Sequence, residues 1–418
     1  MHVALLTAYA VVTLLFLAVA STTLVWMLHA WQTPDAFEET RFPAGGMASG
    51  RSFSLIVPAR HEEAVLGATL DRLAALRHDR FEVLAVVGHD DAGTAEVARA
   101  AAERHPERVR VLVDANWPKN KPKALNTALP ECRGDVVGVF DAEDQVHPDL
   151  LGRVSEAFDA TGAHIVQGAV QLMNYRDRWY SVRNCLEYFF WFRSRLHFHA
   201  GRHFVPLGGN TVFISAPLLR AADGWDPECL AEDCELGARL TGMGARVAVA
   251  YDPELATREE TPASLSELAR QRSRWNQGFL QVLRKGDWRR LPRRERALAW
   301  FTLSQPFLQA FTGLVMPLSI GSILFLRAPV GLALISFAPL LITLTMLGVE
   351  VAGLREFCRL YGRRPRLLDY SRLVVGTFPY QLMLAYAAIR AAWRHVRGRR
   401  EWEKTAHVGA HLEPQEAT

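Results

Sequence analysis

The chain of 418 residues is poor in cysteine and in net charge. Its five cysteines are odd in number, and none stands in a Cys-x-x-Cys pair, which excludes a disulfide framework and a zinc site of that kind. We therefore expect reduced thiols in a cytosolic compartment. The formal net charge is only +4, and no nucleic-acid-binding motif with interleaved aromatic residues is present, so we expect no nucleic-acid partner.

Charged residues are missing altogether from residues 3–28. This run is longer than the roughly 20 residues that cross a bilayer as a helix, so we predict a transmembrane helix over residues 1–30. A cleavable signal peptide is the alternative, because Ala18-Val19-Ala20 has the small-x-small form of a cleavage site. The lack of Lys and Arg before the run, and its continuation beyond Ala20, argue against cleavage.

Three more apolar stretches, residues 297–326, 329–354 and 373–393, make residues 297–395 a predicted membrane region. Arginine-rich clusters flank these stretches, as is typical of cytoplasmic membrane flanks. If all three stretches spanned the bilayer, the basic tail at residues 396–418 would lie outside, against that bias. We expect two spans, a cytoplasmic tail, and one re-entrant or interfacial segment that breaks at Pro306 or Pro379.

Between the first helix and this region, after a linker at residues 32–51, short apolar runs alternate with helical patterns. Such alternation predicts an α/β domain with a mostly parallel sheet, here over residues 51–260. The predicted strands are residues 53–58, 81–87, 109–113, 136–140, 164–171, 211–214 and 246–251. The predicted helices between the early strands are residues 62–76, 94–103, 123–129 and 148–158. Ligands bind at the carboxyl ends of the strands in sheets of this kind.

Aromatic and apolar residues interleave with Arg183, Arg193 and Arg195 over residues 179–199. This pattern favours an amphipathic helix in the membrane interface. An ordinary buried helix with basic ends is the alternative.

Three carboxylates, Asp141, Glu143 and Asp144, directly follow the predicted strand at residues 136–140. Carboxylates this close repel one another unless a cation lies between them, and Mg²⁺ and Mn²⁺ take oxygen ligands. A solvated acidic turn is the alternative.

Two further polar groups occur at a distance. Asp233, in Ala231-Glu232-Asp233, opens a predicted helix, where it could serve as a general base or merely complement the helix N-terminus. The run Gln271-Arg272-Ser273-Arg274-Trp275 offers guanidinium groups for phosphate oxygens and an indole face for a sugar ring. Alone, it would be an ordinary charged helix.

Taken in order, D-A-E-D, A-E-D and Q-R-S-R-W followed by membrane segments resemble the family 2 glycosyltransferases of the GT-A fold, particularly the membrane branch of cellulose and hyaluronan synthases. The resemblance covers residues 52–278 by motif. It implies a Rossmann-like GT-A domain with transmembrane and interfacial helices, in which residues 261–296 form the Q-x-x-R-W and interfacial region.

The resemblance also implies roles for individual residues. The donor-binding residues would be Pro58, Glu62, Asp90 at the nucleotide base, Lys121 at the phosphates, and Asp141. A divalent metal, Mg²⁺ or Mn²⁺, would be held by Asp141 and Glu143, where the family more often has a second Asp, so Asp144 stays open as a ligand. Asp233 would be the catalytic base, although Ala231 replaces a Thr of the family pattern. The residues for the diphosphate and acceptor would be Gln271, Arg274, Trp275, Gly209 and Asn210.

The implied function is an inverting, metal-dependent transferase that moves a sugar from a nucleotide diphosphate, most often UDP, to a lipid or glycan acceptor. It would be a multi-pass protein of the cell membrane with a cytoplasmic catalytic domain. A processive polysaccharide synthase is the alternative, although few spans favour a single transfer. A transferase without turnover, or a non-catalytic nucleotide-binding membrane protein, is also open; the latter should bury charges in its spans, where only Glu350 is acidic.

Overall fold

The computed structural model describes residues 2–32, 50–325, 330–403 and 409. The side chains of some residues within the apolar helices are not part of this description. Most of the predicted linker and of the predicted tail lies outside the described residues.

A seven-stranded sheet forms the centre of the α/β domain. Its strands are β1 (Phe53–Ala59), β2 (Phe81–Gly88), β3 (Val109–Asp114), β4 (Val136–Val139), β5 (Ile165–Gly168), β7 (Val212–Ser215) and β8 (Val247–Ala250). Their order is β3-β2-β1-β4-β7-β5-β8, and only β7 runs antiparallel to its neighbours. The predicted α/β fold with a mostly parallel sheet is therefore confirmed.

The predicted strand at residues 164–171 is wrong as a single strand. After β5 the chain leaves the main sheet, and β6 (Val170–Leu172) pairs in parallel with β9 (Thr257–Glu259) in a second, two-stranded sheet. At the point where the chain passes from one sheet to the other, Thr257 donates its backbone N–H to the Ala169 carbonyl at 2.9 Å. The pattern of an apolar run is the same whether its residues pair within one sheet or within two, so the division between β5 and β6 was not predicted. Strand β9 was not predicted either.

Four helices cover the sheet at the predicted places. They are α2 (Leu66–Ala74), α3 (Ala92–Arg104), α4 (Lys121–Ala128) and α5 (Leu150–Thr161). Two of them, α3 and α4, begin at a capping side chain. The Asp91 carboxylate accepts from Thr94 N–H at 3.3 Å before α3, and the Asn120 side chain accepts from Lys123 N–H at 3.0 Å before α4. Such caps satisfy N–H groups that have no partner within the helix.

The segment 179–199 is buried, not laid out on a surface. It forms α6 (Ser181–Phe190), a π-helical turn (Trp191–Arg195) and α7 (Leu196–Ala200), with Phe189 and Phe192 in the hydrophobic core. Its arginines reach the C-terminal helices. The interfacial interpretation is therefore wrong for this segment and the buried alternative holds, because an apolar face can pack against protein as well as against lipid.

Long apolar helices stand at both ends of the chain. They are α1 (His2–Gln32), α11 (Arg293–Phe325) and α12 (Val330–Leu360). Among the described residues, two helical stretches, Ala10–Gln32 and Ala338–Leu360, are long and apolar enough to cross a membrane. Length and composition alone support this, since a buried core helix or a leader sequence would meet the same criteria.

The apolar stretch 373–393 is not one helix. It divides at Gly376 between α13 (Leu367–Val375) and α14 (Thr377–Val396), which packs on α11 and on α10 (Leu265–Lys285). Pro379 lies in the first turn of α14, where its missing N–H costs nothing. Pro306 lies inside α11 without ending it.

Candidate active site

A cavity of about 700 Å³ opens at the carboxyl ends of the central strands and extends between the apolar helices. It gathers nearly all the predicted site residues. Those that line it are Pro58, Glu62, Lys121, Asp141, Glu143, Gly209, Asn210, Asp233, Gln271, Arg274 and Trp275. Residues as far apart as 58 and 275 thus share one space.

Asp90 is the predicted site residue that does not line the cavity. Its carboxylate instead pairs with Arg60, which does line the cavity, at 2.8 Å. Asp114, at the end of the neighbouring strand β3, does line the cavity and accepts a hydrogen bond from Asn116 N–H at 3.0 Å. Sequence reasoning missed Asp114, although its place at a strand end was a usable signal.

The acidic cluster after β4 divides into two kinds of carboxylate. Oxygens of Asp141, Glu143 and Glu259 can all lie within 4.8 Å of one another. Asp144 turns inward, accepting from Asp141 N–H at 2.8 Å and from the Asn210 side-chain amide at 2.8 Å. Burial first, and then the charges of Glu259, Asp141 and Glu143, raise the pKa of Asp144 well above its ordinary value. By geometry Glu143, not Asp144, joins the group that could hold a cation.

Glu259 is a member of this group that sequence reasoning missed. It ends β9, which β6 holds on one side and two backbone hydrogen bonds between Gln145 and Arg258, at 3.0 and 3.1 Å, hold on the other. The Asn210 amide contacts its carboxylate. The only sequence signal was the pair Glu259-Glu260, which is common in unrelated proteins.

Lys121 lies at the start of α4 and faces the acidic groups. Its ammonium contacts the Asp141 carboxylate and donates to the Gly209 carbonyl at 2.8 Å. Burial alone would lower the pKa of Lys121, but the carboxylates of Asp141, Glu232 and Asp233 outweigh it and raise the pKa. The ammonium is therefore a fixed positive charge in this cavity.

Asp233 occupies the first turn of α9 (Glu232–Gly242). Its Oδ1 accepts from Cys234 N–H at 2.7 Å, and a Cβ on Gly209 would come within 3.0 Å of its Oδ2. Only a glycine lets the 209 backbone approach the carboxylate so closely without displacing it.

Burial raises the pKa of both members of the adjacent pair Glu232 and Asp233, that of Glu232 to about 8. For Asp233, the Cys234 N–H bond and the positive charges of Lys121 and Arg274 partly offset burial. A carboxylate with a raised pKa is a better proton acceptor than an exposed aspartate, which suits a general base.

Helix α10 brings the Q-R-S-R-W residues to the same cavity. A capping box starts it, in which the Ser264 hydroxyl accepts from Glu267 N–H at 3.2 Å and the Glu267 side chain bonds back. A Cβ on Gly278 would lie 2.4 Å from the Cβ of Ala231. Helix α10 therefore contacts the residue that precedes α9. The Ala231 position, where the family pattern has Thr, is thus a close contact with α10.

Arg274 projects from α10 toward Asp233 and its neighbouring carboxylates, and Trp402 packs against its guanidinium group. Its guanidinium carbon lies 4.5 Å from the ring centre of Trp402, which also lines the cavity. Burial lowers the pKa of Arg274, against the charges of Glu232, Asp233 and Asp141. Trp402 belongs to the predicted tail and was missed, because its position after the last helix suggested a free segment.

Ion pairs hold this part of the chain in place. Glu403 pairs with Arg390 at 2.6 Å and with Arg394 at 2.9 Å, and Arg394 donates to the Gln277 side chain at 3.0 Å. The first residues of the predicted tail are therefore bound to α10 and α14.

Arg272 packs against Trp275, which lines the cavity. It pairs with Glu187 and donates to Asn184 at 2.7 Å, while its guanidinium carbon lies 4.8 Å from the ring centre of Trp275. It was not predicted as a site residue, although Arg272 and Glu187 both line the cavity.

Comparison with known proteins identifies the family and several relatives of this chain. A family model described as "Glycosyltransferase like family 2" matches residues 50–278. Beta-monoglucosyldiacylglycerol synthase of Synechocystis is 30% identical over 233 residues, which are 54% of this chain and 47% of that protein. Poly-beta-1,6-N-acetyl-D-glucosamine synthase of Staphylococcus aureus is 23% identical over 243 residues, 55% of each. The chain thus spans about half the length of the curated relatives it matches.

Among solved structures, a mannosyltransferase from Pyrobaculum calidifontis in complex with GDP-Man and Mn²⁺ has a TM-score of 0.55 at 17% identity. The alignment covers 92% of this chain and 99% of that one. At this identity the likeness establishes a shared fold.

Proposed function

The chain belongs to glycosyltransferase family 2, and we propose that it is an inverting, metal-dependent enzyme that transfers a sugar to a membrane-associated acceptor. The GT-A fold expected from its motifs is confirmed, and membership of the family supports a glycosyltransferase that acts on nucleotide sugars. One observation carries the finer proposal: Asp233, the group of Asp141, Glu143 and Glu259, and the cation Lys121 line one cavity.

The donor's diphosphate would lie between Lys121, Arg274 and the acidic group. Departure of the nucleoside diphosphate develops negative charge on its phosphate, which both cations would offset. Asp114 and Pro58, at the ends of β3 and β1, line the part of the cavity nearest these strand ends and would meet the nucleotide base. A UDP-sugar is the donor we propose.

The acidic group fits a divalent metal. Three carboxylates with oxygens within 4.8 Å are a hard-oxygen donor set of the type that Mg²⁺ and Mn²⁺ prefer. Asp144 and Asn210 would keep the backbone of Asp141 and the Glu259 side chain in place through their hydrogen bonds. When bound, the metal supplies positive charge to the diphosphate.

Asp233 would accept the proton of the acceptor hydroxyl, which then attacks the anomeric carbon from the face opposite the leaving phosphate. One displacement with one base inverts the anomeric configuration, and no second carboxylate nucleophile is needed. Trp275, oriented by Arg272, would stack on the acceptor and exclude water from this side.

The membrane assignment rests on Ala10–Gln32 and Ala338–Leu360. We propose a multi-pass protein of the cell membrane with its cavity on the cytoplasmic side, because nucleotide sugars are cytosolic and the arginine clusters favour that side. The acceptor is a lipid or a glycan at the membrane surface.

The decisive experiment is a screen of nucleotide sugars with the purified full-length protein, with Mn²⁺, Mg²⁺ or EDTA, scored by release of nucleoside diphosphate. We expect release only with a metal, and loss of release in Asp233→Asn when acceptor is present. NMR of the product's anomeric proton tests inversion. Release in EDTA, or a retained anomeric configuration, would contradict the proposal.

A further inference from the structure

The inner end of the cavity is the part lined by Trp26 of α1 and Gln305 of α11, and Arg195 belongs to its lining. Its guanidinium carbon lies 4.1 Å from the ring centre of Trp26 on α1 and 4.9 Å from that of Trp191. It donates to the amide oxygen of Gln305 on α11. Arg195 therefore lies where the catalytic part meets the apolar helices.

Unlike its neighbours, Arg195 forms no ion pair with any described carboxylate. Arg183 pairs with Glu350 at 2.9 Å, and Arg193 pairs with Glu356 at 2.6 Å. Arg195 has two indole faces and one neutral amide, and its Nε is buried without a hydrogen-bond partner. Its positive charge is the uncompensated one among the three arginines of this segment.

Burying an unpaired charge is costly, and burial lowers the pKa of Arg195 to about 9. Cation–π contacts with two tryptophans recover only part of that cost. An anion that entered the cavity would restore the balance and gain a strong charge-assisted hydrogen bond.

The contact of Arg195 with α1 indicates the source of such an anion. Trp26 lies six residues before the end of the candidate span Ala10–Gln32, or about 9 Å along a helix. Trp26 thus lies in the last third of this span, at its C-terminal end, where a bilayer lipid could reach Arg195 from between the apolar helices. Polar side chains of Thr23, Thr302 and Gln309 continue the lining on the helices, next to apolar Met27 and Leu384.

We propose that the inner end of the cavity binds the phosphate of an anionic acceptor lipid, with Arg195 as the counter-ion. This deepens the proposed function and rests on it, since it assigns the acceptor class of the same cavity. The acyl chains leave between the apolar helices, and a headgroup hydroxyl beyond the phosphate points toward Asp233; phosphatidic acid, which lacks that hydroxyl, stands in for the phosphate and the chains alone. A neutral diacylglycerol lacks the group that Arg195 recognises.

The test measures equilibrium binding to the full-length protein in a neutral detergent, without donor. Dihexanoyl phosphatidic acid, dihexanoylglycerol and inorganic phosphate are the probes. We expect phosphatidic acid to bind at least about tenfold more tightly than either of the others, because a desolvated charge pair adds to the burial of the chains. Equal binding of the two lipids in the wild type overturns the proposal without requiring any variant. Inorganic phosphate that binds as tightly as phosphatidic acid overturns the lipid assignment.

Three variants give the matched comparison. Arg195→Gln should lose the preference for phosphatidic acid, and Arg195→Lys should keep part of it. Arg193→Gln removes a buried arginine two residues away that does not line the cavity, and should keep the preference in full. A preference that survives in Arg195→Gln overturns the proposal.

Metal-dependent donor hydrolysis, measured on the same samples, separates the two proposals. Hydrolysis without a lipid preference contradicts only the anionic-acceptor site. A lipid preference without hydrolysis contradicts the transferase mechanism and leaves the binding site standing.

Discussion

The two ends of the cavity carry opposite imbalances of charge. At the donor end, the carboxylates of Asp141, Glu143, Glu259 and Asp233 outnumber the cations that face them. At the inner end, Arg195 faces aromatic rings and amides. This difference is the reason that we propose a divalent cation as the ligand of one end and an anion as the ligand of the other.

The largest effect is expected from removing the base at the donor end. Asp233→Asn should lower kcat for transfer by about 1,000-fold, since the amide cannot take the acceptor's proton. Steady-state kinetics measure it, and Glu228→Gln, an exposed carboxylate that contacts only Arg400 at 3.5 Å in the described structure, is the control. A loss of similar size in the control would assign the effect to net charge.

Glu259→Gln tests whether the Glu259 carboxylate belongs to the group that would hold the metal. We expect the affinity for Mn²⁺ to fall by about 10- to 100-fold, the range seen when groups that organise a metal site are lost. Electron paramagnetic resonance titration without donor measures it independently of turnover. The exposed Glu254→Gln should bind Mn²⁺ as the wild type does, and an unaltered affinity in Glu259→Gln would remove Glu259 from the site.

Gly209→Ala tests the close approach to the base. The new Cβ would lie 3.0 Å from Asp233 Oδ2, and we expect kcat/KM to fall about tenfold as the carboxylate moves. In α5, a Cβ on Gly152 meets nothing within 4 Å. Gly152→Ala should keep its activity and gain about 0.5–1 kcal/mol in free energy of unfolding.

The pH dependence reports the cations at the donor end. The proposed base, Asp233, would work in its ionised form, and Arg274 favours that form by opposing the burial that raises the pKa of Asp233. Arg274→Gln should therefore raise this pKa and move the acid limb of the kcat/KM profile to higher pH, by about one unit. Arg400→Gln, on the surface, should leave the limb in place. A shift to lower pH would contradict the assignment of Asp233.

The smallest effect is expected at the inner end. The Thr302 hydroxyl is buried without a hydrogen-bond partner, so Thr302→Val should stabilise the protein by up to about 1 kcal/mol. Thermal unfolding measures it. Thr343→Val removes a hydroxyl that donates to the Pro339 carbonyl at 2.8 Å and should destabilise instead. Destabilisation by Thr302→Val would show that the Thr302 hydroxyl has a partner.

Local patterns predicted the donor end well and the inner end poorly. Lys121, Asp141 and Asp233 each follow a strand or open a helix, so their short motifs placed them. Glu259 reaches the group through the pairing of β6 with β9, a long-range contact with no local pattern.

Arg195 was misplaced for a different reason. Its helix was interpreted as lying on a membrane surface, because a sequence pattern cannot distinguish a lipid environment from protein helices distant in the chain. Asp90 and Asp114 show the same limit at smaller scale. Asp90 follows β2 and Asp114 ends β3. The conformation of the loop after each strand determines which of the two side chains faces the cavity.

The anchoring of Trp402 has a practical consequence for anyone who shortens or tags this protein. Deletion from residue 399 onward would look harmless by position, yet it would remove the ring behind Arg274 and the Glu403 carboxylate shared by Arg390 and Arg394. In such a shortened protein, the cavity would lack the Trp402 ring that lies against Arg274. Loss of activity in it should not be attributed to the missing terminus as a separate regulatory element.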